Sequence, residues 1–145
     1  MPYLSGLPLP EPHVDYEEFW RGCKNNRLVI QRCDDCGWYR HHPRPLCPKC
    51  RSWNARWTEV SGKGTVWSYT IITHPINPAV KDQTPYNLVE IELVEQEGLR
   101  MISNLIDCKN EEIYTGMPVK VVFEEISPEI TLPRFKKTSF QKNFL

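Results

Sequence analysis

The sequence lacks any apolar run near the 18 residues that a membrane span requires, any excess of one charge, and any internal repeat or low-complexity segment. Each absence removes a class of function. Eighteen Lys+Arg balance eighteen Asp+Glu, so no global field draws the chain onto nucleic acid. The first 20 residues, MPYLSGLPLPEPHVDYEEFW, have neither the basic start nor the apolar centre of a secretory signal, which predicts a soluble, cytoplasmic protein. Glycine is scarce, with seven residues against thirteen prolines, so the connections should be stiff and extended. The one glycine pair of note, Gly62-Lys63-Gly64, lacks the Gly-Lys-Ser/Thr and the helix of a phosphate loop. It is read as a turn, with a backbone approach to a ligand phosphate as the other option. No Ser or Asp stands in a triad motif with His13, His41, His42 or His74, and these are read as solvated loop residues.

A chain of 145 residues supports one modest core or two very small units, and a split would need a staple. The six cysteines supply one. Cys33-Asp-Asp-Cys36 and Cys47-Pro-Lys-Cys50 are two Cys-x-x-Cys knuckles with ten residues between them. Each knuckle sets two thiolates on one turn with backbone N–H groups directed at the sulfurs, and two facing knuckles give four soft ligands around a tetrahedral ion. A closed four-thiolate shell has no position for water or substrate, so Cys33, Cys36, Cys47 and Cys50 are expected to hold a structural Zn2+. Redox dithiols and unligated core thiols are the competing readings, and no βαβ pattern supports a thioredoxin-like role. Cys23 and Cys108 fall outside the spacing and are read as small apolar side chains.

The fold class that follows is mainly β: a short N-terminal helix, a four-Cys zinc ribbon, then a five-stranded OB-fold barrel. Residues 1–27 form an arm and helix, 28–60 the ribbon, 61–137 the OB domain and 138–145 a tail. In DYEEFWRGCKNNRL, Asp15 is a helix cap, Glu17 and Glu18 occupy the first turn, and Phe19 and Cys23 share a face. Leu28–Arg32 and Trp57–Val60 are strands flanking the knuckles. TVWSYTII (65–72), NLVEIELV (87–94), LRMISNLI (99–106) and VKVVFEEI (119–126) are rich in β-branched and aromatic residues, and LPRF (132–135) closes or extends their sheet. Glu90 and Glu92 are expected to face solvent from one side of their strand, and Trp67 and Tyr69 to share a face. The tail from Arg134 has four basic residues and no acidic one, as in a frayed end or a docking peptide.

The order of FW in the helix, RCDDCG, PRPLCPKC, WTEVSGKGTVWSYTII, PYNLVEIEL, a Gly-x-Pro turn and LPRF closely resembles the DUF35 family of zinc-ribbon plus OB-fold proteins over about residues 15–137. The segment ELVEQEGLRM departs from that pattern by a longer hairpin. The resemblance implies an acyl-CoA-binding accessory subunit paired with a thiolase-superfamily enzyme (thiolase, ketosynthase-like acyltransferase or aldolase), or in some cases with a MaoC-like hydratase. The catalytic groups then belong to the partner of a hetero-oligomer. It also implies basic contacts to the adenosine-phosphate end of a shared coenzyme A thioester, for which Lys63, Arg134, Lys136 and Lys137 are the candidates here. Two other classes compete. A single-stranded nucleic-acid module would use Trp67 and Tyr69 as a stacking platform, and an autonomous hydrolase or redox enzyme would need a thiol of depressed pKa.

Overall fold

The computed structural model describes residues 6–139. The expected N-terminal arm is therefore seen only from residue 6, and residues 140–145 of the basic tail lie outside the described residues. A 3-10 turn at Val14–Tyr16 leads into helix α1, Glu17–Lys24. The expected cap is displaced. Asp15 sits inside the 3-10 turn, whose cap is His13, accepting from the Asp15 N–H at 3.4 Å, while Tyr16 at the α1 N-cap makes no side-chain cap bond. Glu17 and Glu18 instead bind Arg21 one turn on, the i,i+4 and i,i+3 pairing that supports short helices. Phe19, Gly22 and Cys23 make the buried face.

Strands β1 (Val29–Cys33), β2 (Tyr39–Arg40) and β3 (Ala55–Glu59) form a small antiparallel sheet in the order β2-β1-β3. Strands β4 (Lys63–Ile72), β5 (Tyr86–Leu93), β6 (Arg100–Ser103), β7 (Pro118–Glu125) and β8 (Thr131–Lys137) form a second, curled sheet in the order β6-β5-β4-β7-β8. Its two edges meet at one parallel bridge, Leu105 with Phe135, flanked by Ile106 N–H to Phe135 C=O at 2.9 Å and Phe135 N–H to Asn104 C=O at 3.2 Å. This is the OB-fold strand order. Asn87 fixes the seam, because its amide donates to Leu105 C=O at 2.9 Å and accepts from Leu105 N–H at 2.6 Å.

One cluster of buried residues joins all the parts. Phe19 and Cys23 from α1, Leu28, Ile30 and Val60 from the ribbon side, and Val66, Val89, Ile91, Leu93, Met101, Val119 and Phe135 from the OB sheet belong to it. Strand β5 shows why: Asn87, Val89, Ile91 and Leu93 point inward at period two while Leu88, Glu90 and Glu92 take the other face. Glu92 is not simply solvated there. It accepts from Arg100 Nε at 3.2 Å, and its side chain is 15% exposed.

The register of β4 slips between Val66 and Ser68, so Trp67 is an extra residue in the strand. Ser68 then pairs with outward Glu90 and Tyr69 with inward Val89, which puts Trp67 and Tyr69 out of phase instead of on one face. The Arg100 guanidinium lies 3.5 Å from the Trp67 ring centroid and covers it.

Gly62 and Gly64 are required by packing. A Cβ on Gly62, at φ +76, would lie 2.2 Å from Val121 Cγ1, and one on Gly64 would lie 2.6 Å from Glu92 O and 2.7 Å from Ile91 Cγ2. The backbone between them is engaged in turn contacts: Val121 N–H donates to Gly62 C=O at 2.9 Å and Val94 N–H to Lys63 C=O at 3.1 Å. The Gly-Lys-Gly segment thus joins the two sheets at close quarters. Gly64→Ala should cost about 1–3 kcal/mol, because the obstructing atom is backbone and cannot turn away. Urea unfolding would read this, and a loss under about 0.5 kcal/mol would contradict it.

Candidate metal centre

The two knuckles repeat one another in backbone detail. In the first, Cys33 C=O accepts from Gly37 N–H at 3.0 Å, and in the second Cys47 C=O accepts from Arg51 N–H at 2.9 Å. The residue that ends each turn is left-handed, Gly37 at φ +76 and Arg51 at φ +65. Glycine adopts this conformation freely and arginine at a cost of about 1–2 kcal/mol. Each knuckle is anchored outside the turn: Cys33 N–H donates to Trp38 C=O and Cys47 N–H to Ser52 C=O, both at 2.9 Å. Asp35 receives Ser52 Oγ and Asn54 Nδ2, which ties the first knuckle to the strand leaving the second.

These turns bring the four Sγ atoms within 4.8 Å of one another. Cys33 Sγ lies 3.5 Å from Cys50 Sγ, and Cys36 Sγ lies 3.6 Å from Cys47 Sγ. A Zn–S bond of about 2.3 Å sets tetrahedral edges of about 3.8 Å, so the cluster has the size of a zinc tetrahedron. The same distances are far longer than the disulfide length of about 2.05 Å. Backbone N–H groups stabilise the thiolates as the spacing implied. Those of Cys36 and Asp35 hold Cys33 below the ordinary thiol range, and those of Cys50 and Lys49 bring Cys47 down to about 6. At Cys36 and Cys50 the N–H groups of Trp38 and Ser52 act the same way, but burial and the neighbouring sulfurs outweigh them and push both thiols up. Four like ligands cannot all ionise without a cation among them, and a divalent soft ion supplies it. With all four sulfurs used, the shell is closed, and the zinc this site holds is structural.

The remaining thiols are both held protonated. Burial raises Cys23 to about 12, and burial with the neighbouring Glu112 raises Cys108. No depressed thiol exists outside the four-sulfur cluster among the described residues, which removes the sign an autonomous thiol enzyme would need. Trp67, covered by Arg100 and out of phase with Tyr69, does not form the stacking platform of a single-strand binder.

The four basic candidates do not form one site. Arg134 is buried, with its guanidinium held by Glu124 at 3.0 Å and by Asn104, so it braces β7, β8 and the seam. Lys137 pairs with Glu112 at 3.0 Å beside a cleft of about 670 Å³ lined by Tyr114, Met117, Pro118 and Thr138. Lys63 and Lys136 are brought together by a residue that sequence reasoning missed. Lys120 on β7 is the cross-strand partner of both, so Lys63, Lys120 and Lys136 form an exposed row across β4, β7 and β8. Only the pairing register could have revealed it, since Lys120 carries no motif.

The hairpin between β5 and β6 also has a role. Gln96 at its tip accepts from Tyr39 N–H at 2.8 Å and donates to Tyr39 C=O at 2.9 Å, taking the place of a neighbouring strand on β2. Glu95 accepts from the Ser61 N–H and hydroxyl at 3.1 and 2.9 Å. The OB hairpin therefore clasps both the ribbon and the linker.

This architecture is that of a zinc-stapled OB scaffold, and comparison with known proteins agrees. Residues 20–53 match the ChsH2 rubredoxin-like zinc ribbon domain and residues 57–124 the ChsH2 C-terminal OB-fold domain. A DUF35 domain-containing scaffold protein of Methanocaldococcus jannaschii is 37% identical over 76% of this chain and 77% of its own length. A probable enoyl-CoA hydratase alpha subunit of Thermomonospora curvata is 40% identical over 88% of this chain, which spans 39% of that relative's length. Among solved structures, a chain of the Ltp2-ChsH2(DUF35) aldolase is 39% identical, with a TM-score of 0.78 over 89% of this chain and 98% of its own. The chain belongs to the DUF35 family.

Purified protein should contain about one zinc per chain, and Cys36→Ser should lose most of it with a fall in Tm of several degrees. Unchanged zinc content in that variant would refute the ligand set. Arg51→Gly should raise stability by about 1 kcal/mol by relieving the left-handed arginine; a loss in urea unfolding with zinc retained would show that the Arg51 side chain outweighs the backbone cost.

Proposed function

We propose that this chain is the non-catalytic subunit of a thiolase-superfamily acyltransferase, thiolase or aldolase complex, in which it bridges or stabilises the catalytic subunits. The observation that carries this reading is the 39% identity and near-complete coverage of a chain from the Ltp2-ChsH2(DUF35) aldolase. The chemistry of the chain supports it, because the metal shell is closed and the other thiols are pushed up. The relatives named as hydratase subunits, including a 3-oxo-4,17-pregnadiene-20-carboxyl-CoA hydratase alpha subunit of Mycobacterium tuberculosis, make a hydratase the second choice of partner. Exposed Trp67, Leu88 and Ile102 on the outward face of the β4-β5-β6 part of the sheet supply the aromatic and apolar anchors such an interface uses.

In this reading a coenzyme A thioester is shared with the partner, and its phosphates lie against the Lys63, Lys120 and Lys136 row. Lys137, on the opposite face of β8 and paired with Glu112, stands outside this row. Arg134 acts by holding the strands, and the location is cytoplasmic. No helix among the described residues is long and apolar enough to cross a membrane.

A tagged chain purified from its source cell at mild salt should bring down a thiolase-superfamily enzyme in fixed ratio, and that enzyme should lose activity when this chain is removed. Lys120→Glu should weaken coenzyme A binding by the assembly about tenfold while leaving the assembly intact. A lone monomer that binds single-stranded nucleic acid with a steep salt dependence would overturn the proposal.

A further inference from the structure

Arg40 on β2 is buried, at 5% exposure, and forms no ion pair with a carboxylate among the described residues. Its Nε donates to Gln31 Oε1 at 2.8 Å and to Arg44 C=O at 2.9 Å. The terminal Nη1 and Nη2 are shielded from solvent and have no hydrogen-bond partner among the described residues. A guanidinium has five donors and cannot shed its proton, so burial does not neutralise it as it would a lysine. Leaving such a cation uncompensated is among the costliest arrangements in a protein interior.

Arg40 stands in the wall of a cavity of about 260 Å³ between the ribbon and the β5-β6 hairpin, together with Trp38, His42, Arg44, Pro48 and Gln96. No Asp or Glu lines it. Residues 38–56 carry Arg40, Arg44, Lys49, Arg51 and Arg56 and no acidic side chain at all. Burial holds His41 neutral by lowering its pKa to about 4, so it neither adds charge nor competes for an anion. Gln96, whose amide is engaged by Tyr39, closes the hairpin side.

We propose that this cavity is a small-oxyanion site, in which the Arg40 guanidinium takes a phosphoryl or carboxylate group through paired N–H···O bonds and Arg44 adds charge at the wall. Planar guanidinium and a pair of oxyanion atoms match in geometry as well as charge. Because the terminal nitrogens are shielded, entry requires a lining side chain to turn aside, a motion that exposed rotamers make in ps–ns. The site lies between ribbon and hairpin, so an occupant would tighten the clasp made by Gln96. None of the row lysines lines it, and it does not depend on the assembly proposed above.

The test uses the zinc-loaded full chain, titrated with inorganic phosphate and, in a second arm, acetate, against sodium chloride at equal ionic strength. Tm and the side-chain NMR signals of Arg40 are followed. Saturable rises in Tm above the chloride control, with Arg40 signals shifting in step, are expected in at least one arm, and the arm that saturates at lower concentration identifies a phosphoryl or a carboxylate source. Arg40→Lys should weaken the response at least tenfold and Arg44→Gln about threefold. If Arg40→Lys does not fold, the wild-type Arg40 signals and Arg44→Gln decide the matter. Equal responses to phosphate, acetate and chloride, or Arg40 signals that do not move, would overturn the proposal.

Discussion

The ribbon cannot hold itself together by burial. Between Asp34 and Arg56 the only buried residues are Arg40, Pro43 and Cys47, one of which is a cation and another a metal ligand. A segment with so little apolar surface to remove from water cannot offset the conformational entropy of ordering it. Four sulfurs around one ion supply the missing free energy, since binding to a site absent from the unfolded chain is itself folding free energy. The repeated knuckle geometry, with its N–H groups aimed at sulfur and its left-handed closing residue, exists to satisfy that centre.

Once the ribbon is fixed, its ends become useful to the rest of the molecule. Strand β1, preceded by Leu28 and carrying Ile30, emerges beside α1, β3 leads to Val60, and all three side chains enter the same core as the OB sheet. Gly22 allows the helix to approach β1, since a Cβ there would lie 2.7 Å from Val29 Cγ2. The Gln96 and Glu95 contacts then secure the opposite side of the junction. The product is one body built on a shared core, with two chemically different surfaces, a basic ribbon and an OB sheet bearing exposed aromatics and a lysine row.

What the sequence disclosed follows from the range of each interaction. The four-sulfur cluster was legible because thiolate spacing within a knuckle is local chemistry. The strands were legible because their burial alternates at period two, as Val89, Ile91 and Leu93 do. The Asp15 cap was misplaced because His13 competes for the same turn two residues earlier. The extra residue in β4 was invisible because a bulge depends on the partner strand, and it moved Trp67 away from Tyr69. Lys120 beside Lys63 and Lys136, Gln96 on Tyr39, and the unpaired Arg40 guanidinium are products of tertiary register, spanning up to 57 positions in the case of Gln96.

The central claim is that the metal organises the ribbon while the OB sheet stands largely on its own hydrogen bonds and core. Amide hydrogen exchange on the zinc-loaded protein, before and after a strong chelator, tests it most directly. The account predicts that protection collapses over residues 33–56 and weakens at Gln96, while β4, β5 and β7 keep theirs. Retained protection across the knuckles after the zinc is gone would contradict it.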